Sequence, residues 1–165
     1  LPSGLVVIAT DSSGLVVQTG DKGPRRPLRT AEGLPDNLVY RVIDDGRGSL
    51  WMSCNRGIYA VPVKEIEEFA AGTRDKVSPL VLGTSHGMRD AECNGGSQPA
   101  GTLAPDGRVW FPTVEGAVVV DPSRVQRNGV APLVYVEEVT VDGESVDPSR
   151  DTHFPAGKKS LSFRV

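Results

Sequence analysis

Basic excess, long apolar runs, cysteine and histidine are all scarce in this chain, and each scarcity removes a class of function. The 165 residues include 18 lysines and arginines against 21 aspartates and glutamates, for a net charge of −3. The basic residues are scattered and form no stripe that would track phosphates, so nucleic acid is not an expected partner. No apolar run reaches the roughly 18 to 20 residues a membrane span needs. Leu1-Pro2-Ser3-Gly4 lacks the basic-then-apolar pattern of a signal peptide. The two cysteines, Cys54 and Cys93, are too few for a disulfide framework and lack metal-ligand spacing, which leaves the redox compartment open. His86 and His153 stand without companion ligands and read as surface-loop residues. No metal or other cofactor is called for.

Turn formers are abundant instead, with 19 glycines and 13 prolines to punctuate many short elements. Their placement repeats. Asp45-Gly46-Arg47-Gly48-Ser49-Leu50-Trp51-Met52-Ser53-Cys54-Asn55-Arg56-Gly57-Ile58 returns as Asp106-Gly107-Arg108-Val109-Trp110-Phe111-Pro112-Thr113-Val114-Glu115-Gly116-Ala117. In both copies a small residue, Cys54 or Thr113, follows the tryptophan by three positions, and a glycine follows by six. A weaker copy, Val7-Ile8-Ala9-Thr10-Asp11-Ser12-Ser13-Gly14-Leu15, opens the chain. A unit that cannot bury its own faces must stack on further copies, so the chain reads as an array.

Each copy predicts a meander of short antiparallel strands. Leu38–Ile43 is β-branched and aromatic, Asp44–Gly48 is a turn cluster, Leu50-Trp51-Met52 starts the next strand, and Gly57 turns the chain into Ile58–Val61. The later copy repeats this with Gly101–Ala104, a turn at Pro105-Asp106-Gly107, Val109–Thr113, and Ala117–Val120. Asp-Gly between apolar runs is a strong hairpin signal, because the turn demands a positive φ that glycine supplies at little cost. One segment departs from this texture. Val63–Ala71 sets Ile66, Phe69 and Ala70 on one helical face, follows Pro62 and ends at Gly72, which predicts a short helix.

Beyond Asp121-Pro122-Ser123-Arg124 the pattern changes. Asn128–Pro132 reads as a linker into the strand Leu133–Val141, Asp142-Gly143 as a turn, and Ser160–Val165 as an alternating strand. By this reading the chain begins inside a repeat and ends in mid-strand, as a fragment of a longer protein would.

The middle unit, with Gly33-Leu34-Pro35-Asp36-Asn37-Leu38-Val39 before its turn and Leu50-Trp51-Met52-Ser53 after it, resembles the two-component regulator propeller repeat. The next unit, with Gly87-Met88-Arg89-Asp90-Ala91-Glu92-Cys93-Asn94-Gly95-Gly96 and Val109–Thr113, resembles the final blade of such proteins. Pro132–Val136 and Leu161-Ser162-Phe163 are similar to the start of the three-tyrosine domain that follows those propellers. Val7 stands where tryptophan is usual, and Cys54 where threonine is usual. The resemblance implies an all-β fold: a partial β-propeller of about two and a half blades plus the first strands of an immunoglobulin-like sandwich. Residues 1–20 would end one blade, 21–80 form a blade with a short helix, 81–127 form the last blade, and 128–165 begin the three-tyrosine domain. Such a piece cannot close on itself, which predicts association with a second copy or with the rest of a larger protein.

Trp51 and Trp110 open an apolar strand in each copy and read as sheet-packing residues rather than sugar platforms. The candidate site is the insertion before Trp110, where Arg89, Asp90, Glu92, Asn94 and Gln98 give a polar stretch leading into an inner strand. In a propeller that stretch lies at the mouth of the central channel; its residues either contact a ligand or cap neighbouring blades. Asn37, Tyr40 and Arg41 occupy comparable ground in the middle unit. Cys54 and Cys93 should approach one face of the propeller, as free buried thiols or as a disulfide.

The resemblance further implies a non-enzymatic sensor at the periplasmic side of a bacterial membrane receptor. Its output module would be a histidine kinase or a diguanylate cyclase, and its ligand an oligosaccharide or another small molecule. Two other readings stay open: a polysaccharide lyase or hydrolase using Asp90 and Glu92, and an assembly scaffold without a small ligand.

Overall fold

The computed structural model describes residues 1–125, 135–147, 157 and 160–164. The linker read at Asn128–Pro132 and His153 lie outside the described residues. The chain is all-β, in two compact units, Leu1–Gln126 and Arg127–Val165.

The first unit holds three antiparallel meanders. Strands β1 (Leu5–Ala9), β2 (Leu15–Thr19) and β3 (Arg25–Leu28) make the first sheet. The second runs in the order β4 (Arg41–Asp44), β5 (Ser49–Cys54), β6 (Gly57–Pro62), β7 (Leu80–Leu82). The third joins β8 (Thr102–Leu103), β9 (Val109–Thr113) and β10 (Gly116–Val120). The sheets divide the chain at other residues than the repeat reading does. Arg25–Leu28 lies with the first sheet rather than with 21–80, and Leu80–Leu82 runs across the expected break after residue 80. Neither strand carries an alternating apolar pattern, and Pro27 is admitted because β3 is an edge strand.

The repeated residues have repeated jobs. Asp45 fastens its turn through Oδ1, which accepts the N–H groups of Arg47 at 2.8 Å and Ser49 at 3.0 Å; its Oδ2 accepts the Trp51 indole N–H at 2.9 Å. Asp106 accepts the Arg108 N–H at 3.0 Å, while the Arg108 guanidinium lies 5.7 Å from the centre of the Trp110 ring. The small residue after each strand closes the following turn. The Thr10 hydroxyl donates to Gly14 O at 2.8 Å, the Cys54 thiol to Gly57 O at 3.4 Å, and the Thr113 hydroxyl to Gly116 O at 3.3 Å.

Strand alternation sends each face of the second sheet to a different neighbour. Leu50, Met52, Cys54, Tyr59 and Val61 pack with Leu5, Leu15, Val17 and Leu28 of the first sheet. Ile43, Trp51, Ile58 and Ala60 pack with Val109, Phe111 and Val120 of the third. Each large side chain buried this way contributes about 1.5–3 kcal/mol. Trp51 is therefore a packing residue at 2 % exposure, whereas Trp110, on the opposite face of β9 from Val109 and Phe111, is half-buried.

β4 starts later than the expected Leu38 because the Val39 N–H leaves the second sheet, and bonding to β5 begins only with the Tyr40 N–H. The Val39 N–H is used on Thr10 O at 2.9 Å, and the Tyr40 N–H on Ser53 O at 2.9 Å. The third sheet repeats the arrangement, with Cys93 N–H on Cys54 O at 3.2 Å and Asn94 N–H on Pro112 O at 2.9 Å.

The expected helix forms as α1 (Val63–Ala70), entered through Pro62, with Ile66 and Phe69 buried. The Arg26 guanidinium stacks 4.0 Å from the Phe69 ring centre and donates to the Phe69 carbonyl, which ties the first sheet to the helix. No helix among the described residues is long and apolar enough to cross a membrane.

The second unit is a sheet in the order β12 (Glu144–Val146), β11 (Glu138–Val141), β13 (Leu161–Arg164). Asp142 takes a φ of 51° in the turn it forms with Gly143, and the Ser160 N–H bonds its carboxylate at 3.0 Å.

Candidate functional site

Two groups of candidate residues, distant in sequence, meet where the second sheet packs on the third. Tyr40, entering β4, donates its hydroxyl to Asn55 Oδ1 at 2.7 Å. Its ring lies against Gly95, so closely that a Cβ on Gly95 would fall 1.8 Å from Tyr40 Cδ1. Only glycine fits there. Burial and the nearby carboxylates of Glu92 and Asp36 hold the Tyr40 hydroxyl above its ordinary pKa, so it remains a hydrogen-bond donor at neutral pH.

The polar loop is shaped by its own side chains. Asp90 Oδ1 accepts the Glu92 N–H at 2.8 Å, Asn94 Oδ1 the Gly96 N–H at 3.0 Å, and Gln98 Oε1 the Ala100 N–H at 3.2 Å. These bonds to N–H groups two residues ahead give the loop local order without a strand partner. The segment is anchored by Cys93, bridged to Thr113, and by the Val114 N–H on Glu92 O at 3.1 Å. Arg89 lies apart, along a trough beside β10.

Arg41 and Ser53 face each other across β4 and β5. Arg41 Nε and Ser53 Oγ are both buried, and neither has a hydrogen-bond partner among the described residues. A buried polar group left without a partner costs about 1–3 kcal/mol, and here a donor and a hydroxyl lie opposite each other in that state. Asn37 belongs to the other packing seam. Its Oδ1 accepts the Thr30 N–H at 2.9 Å, and its carbonyl accepts the Gly14 N–H at 2.7 Å.

Of the sequence candidates, Tyr40, Glu92 and the Asn94 loop are thus brought together, whereas Arg89 and Asn37 are held elsewhere. Asn55, Ser53 and Gly95 enter the cluster unforeseen. Asn55 reads in sequence as a turn residue, and Ser53 sits between two core residues. Gly95 alone carried a signal, as a glycine pair inside a polar loop. Cys54 and Cys93 are buried free thiols that share the Gly57 carbonyl, at 3.4 and 3.7 Å. Burial pushes Cys54 up to about 11 and Cys93 up to about 12. Among the described residues no group of three histidine, cysteine, aspartate or glutamate side chains is gathered that would hold a metal.

The seam sets the Asn55 carboxamide and the Glu92 carboxylate near the Tyr40 hydroxyl. Compared with protein-family models and with curated proteins, the sequence matches none.

Proposed function

We propose that this chain is a ligand-sensing part of the extracytoplasmic region of a bacterial two-component receptor. Its three meanders are read as successive blades of a partial β-propeller, and its second unit as the start of an immunoglobulin-like domain. The ligand class is an oligosaccharide or a comparable polar small molecule, and the chain itself is non-catalytic. The observation that carries the reading is the meeting of Tyr40 with the Asn94–Gly96 loop: two polar groups from different repeats converge on one seam. The repeated turn bonds of Thr10, Cys54 and Thr113 support the propeller reading, since each copy then differs mainly in what it sets between the sheets.

Signalling follows from the same place. A ligand that bridges the Tyr40 side of the second sheet and the loop of the third favours one relative setting of the two sheets, provided it binds that setting more tightly than the other. The parent protein would be membrane-anchored, with its output module, a histidine kinase or a diguanylate cyclase, on the cytoplasmic side.

Titration calorimetry against an oligosaccharide panel, with product analysis of the same mixtures, tests the proposal. Binding without turnover, weakened by Tyr40→Phe and by Arg41→Ala, is the expected result. Turnover would establish the lyase or hydrolase reading instead, and neither binding nor turnover would leave the scaffold.

A further inference from the structure

Several arginines of the first unit end on acceptors. Arg26 donates to the Phe69 carbonyl, Arg74 to the Glu68 carboxylate at 2.8 Å, and Arg108 to the Asp106 carboxylate at 2.7 Å. Arg41 does not. Its Nε is buried without a hydrogen-bond partner, and it takes part in no ion pair among the described residues. The Ser53 hydroxyl, opposite it across β4 and β5, is in the same state at 1 % exposure. Directly paired side chains start with Cβ atoms about 4.5–5.5 Å apart, yet these two do not bond each other.

The repeat does not need this pair. Ser53 precedes Cys54 as Ala9 precedes Thr10 and Pro112 precedes Thr113, and neither alanine nor proline carries a side-chain donor. The Tyr40 N–H bonds Ser53 O as the Asn94 N–H bonds Pro112 O, so Gly95 is the counterpart of Arg41, and it has no side chain. The middle unit has therefore added two donors at a place its own framework leaves blank. Register and alternation put Arg41 and Ser53 on the face of Ile43, Trp51 and Ile58, which are buried against the third sheet. Apolar walls of this kind strengthen a bond to a charged partner. Arg41 and Tyr40 are each half-buried, so the pair lies at the margin of the seam rather than in its sealed core.

The chemistry of the two groups selects what they hold. The guanidinium keeps its charge throughout the accessible pH range, and Nε–H and Oγ–H can both donate. A neutral hydroxyl would leave that charge without a counterion. A carboxylate brings two acceptor oxygens and the opposite charge. We propose that Arg41 and Ser53 form a carboxylate-binding pair, and that the ligand of the seam is an acidic sugar whose carboxylate accepts from Arg41 Nε–H and Ser53 Oγ–H. The inference rests on the sensing reading of this seam and narrows its ligand class.

The test follows the Arg41 Nε–H signal of the isotopically labelled whole chain by nuclear magnetic resonance. Arg41→Gln, in which the signal is lost, assigns it. Glucuronate, glucose and acetate are titrated separately at constant ionic strength. Glucuronate should move the signal saturably, with a midpoint at least about 10-fold below those of glucose and acetate. Ser53→Ala removes an unbonded hydroxyl and adds no bulk, so it should keep its circular dichroism and lose about 10-fold in glucuronate affinity by calorimetry. Arg41→Gln should bind glucuronate no better than glucose. Glucose moving the signal as strongly as glucuronate overturns the carboxylate assignment and leaves the sensing reading in place. Acetate matching glucuronate keeps the carboxylate pair and counts against the sensing reading instead. A signal that none of the three moves overturns the proposal, the pair then holding a resident water only, and so does a folded Ser53→Ala chain that binds glucuronate as the parent does.

Discussion

The thiols of Cys54, at the end of β5, and Cys93, in the loop leading into the third sheet, both reach the Gly57 carbonyl, and that of Cys93 lies as near to the Ala91 carbonyl. The Cys93 N–H also donates to the Cys54 carbonyl at 3.2 Å, so side chain and backbone together rivet the second sheet to the loop that leads into the third. Burial is the main cause raising both thiols from 9.0, to about 11 and about 12. At pH 8 such thiols carry ~100-fold or more less thiolate than ordinary ones, and the thiolate is the nucleophile. Alkylation by iodoacetamide in the native protein should therefore be slower than in denaturant by about that factor. Two alkyl groups should add on unfolding without reductant; fewer would mean that the pair is oxidised.

The same shifts set a pH dependence. A thiol whose pKa is higher in the folded than in the unfolded chain holds its proton longer when folded, so its contribution to stability is complete below the unfolded value. It is lost as pH rises from about 9 through about 11 and about 12. Tyr40 and Tyr59, both raised chiefly by burial, act in the same direction. The urea midpoint should fall between pH 9 and pH 12, and a chain carrying Cys54→Ala and Cys93→Ala should lose a smaller part of its own stability over that range.

Trp51 and Trp110 occupy equivalent places in the sequence but not in energy. Trp51→Ala opens a cavity between the second and third sheets and should cost about 3–5 kcal/mol, while Trp110→Ala, at a half-buried site, should cost about 1–2 kcal/mol. Asp45→Ala unties the turn and strands the buried Trp51 N–H, at about 1–3 kcal/mol. Urea unfolding of the three variants gives the order. In the native protein, acrylamide should quench Trp110 and spare Trp51.

Much of this architecture was readable because its signals are local. Asp-Gly turns, the alternating strands around each tryptophan and the apolar face of Val63–Ala70 depend on a few consecutive residues, and all three form as expected. Leu80–Leu82 and Arg25–Leu28 escaped because they are short outer strands, defined by the edge they join rather than by their own pattern. Leu38–Tyr40 read as strand by composition, yet Val39 and Tyr40 use their N–H groups to bond residues of two different sheets. The site followed the same division. Tyr40 and the polar insertion stood out by composition, whereas Ser53 looked like one more position in a buried strand. Its opposition to Arg41 exists only through the register of β4 and β5.

The glycine contacts rank the turns. Gly14→Ala and Gly57→Ala would drive a Cβ to 2.2 Å from a backbone carbonyl as well as impose a positive φ on alanine. Gly116→Ala meets, among the described residues, no atom within 4 Å and bears the backbone strain of its φ of 134°. The first two should destabilise by clearly more than about 1 kcal/mol and the third by less than either, measured as denaturation midpoints. Equal losses at all three positions would mean that the outer strands do not press on the turns as described.

Gly95 and Tyr40 allow the seam to be tested without altering any charged group. Gly95→Ala sets a methyl group where the Tyr40 ring now lies, so either the ring or the Asn94–Gly96 loop must move. Tyr40→Phe leaves the ring packing in place and removes only the 2.7 Å bond to Asn55. That single bond is worth about 0.5–1.5 kcal/mol, so Tyr40→Phe should be nearly as stable as the parent, and Gly95→Ala less stable than either. Ligand titration then separates packing from recognition. If the seam binds through the tyrosine hydroxyl, Tyr40→Phe weakens binding while the hydrogen exchange of the loop stays unchanged. If the ring only holds the loop, Gly95→Ala alone speeds loop exchange and Tyr40→Phe binds as the parent does.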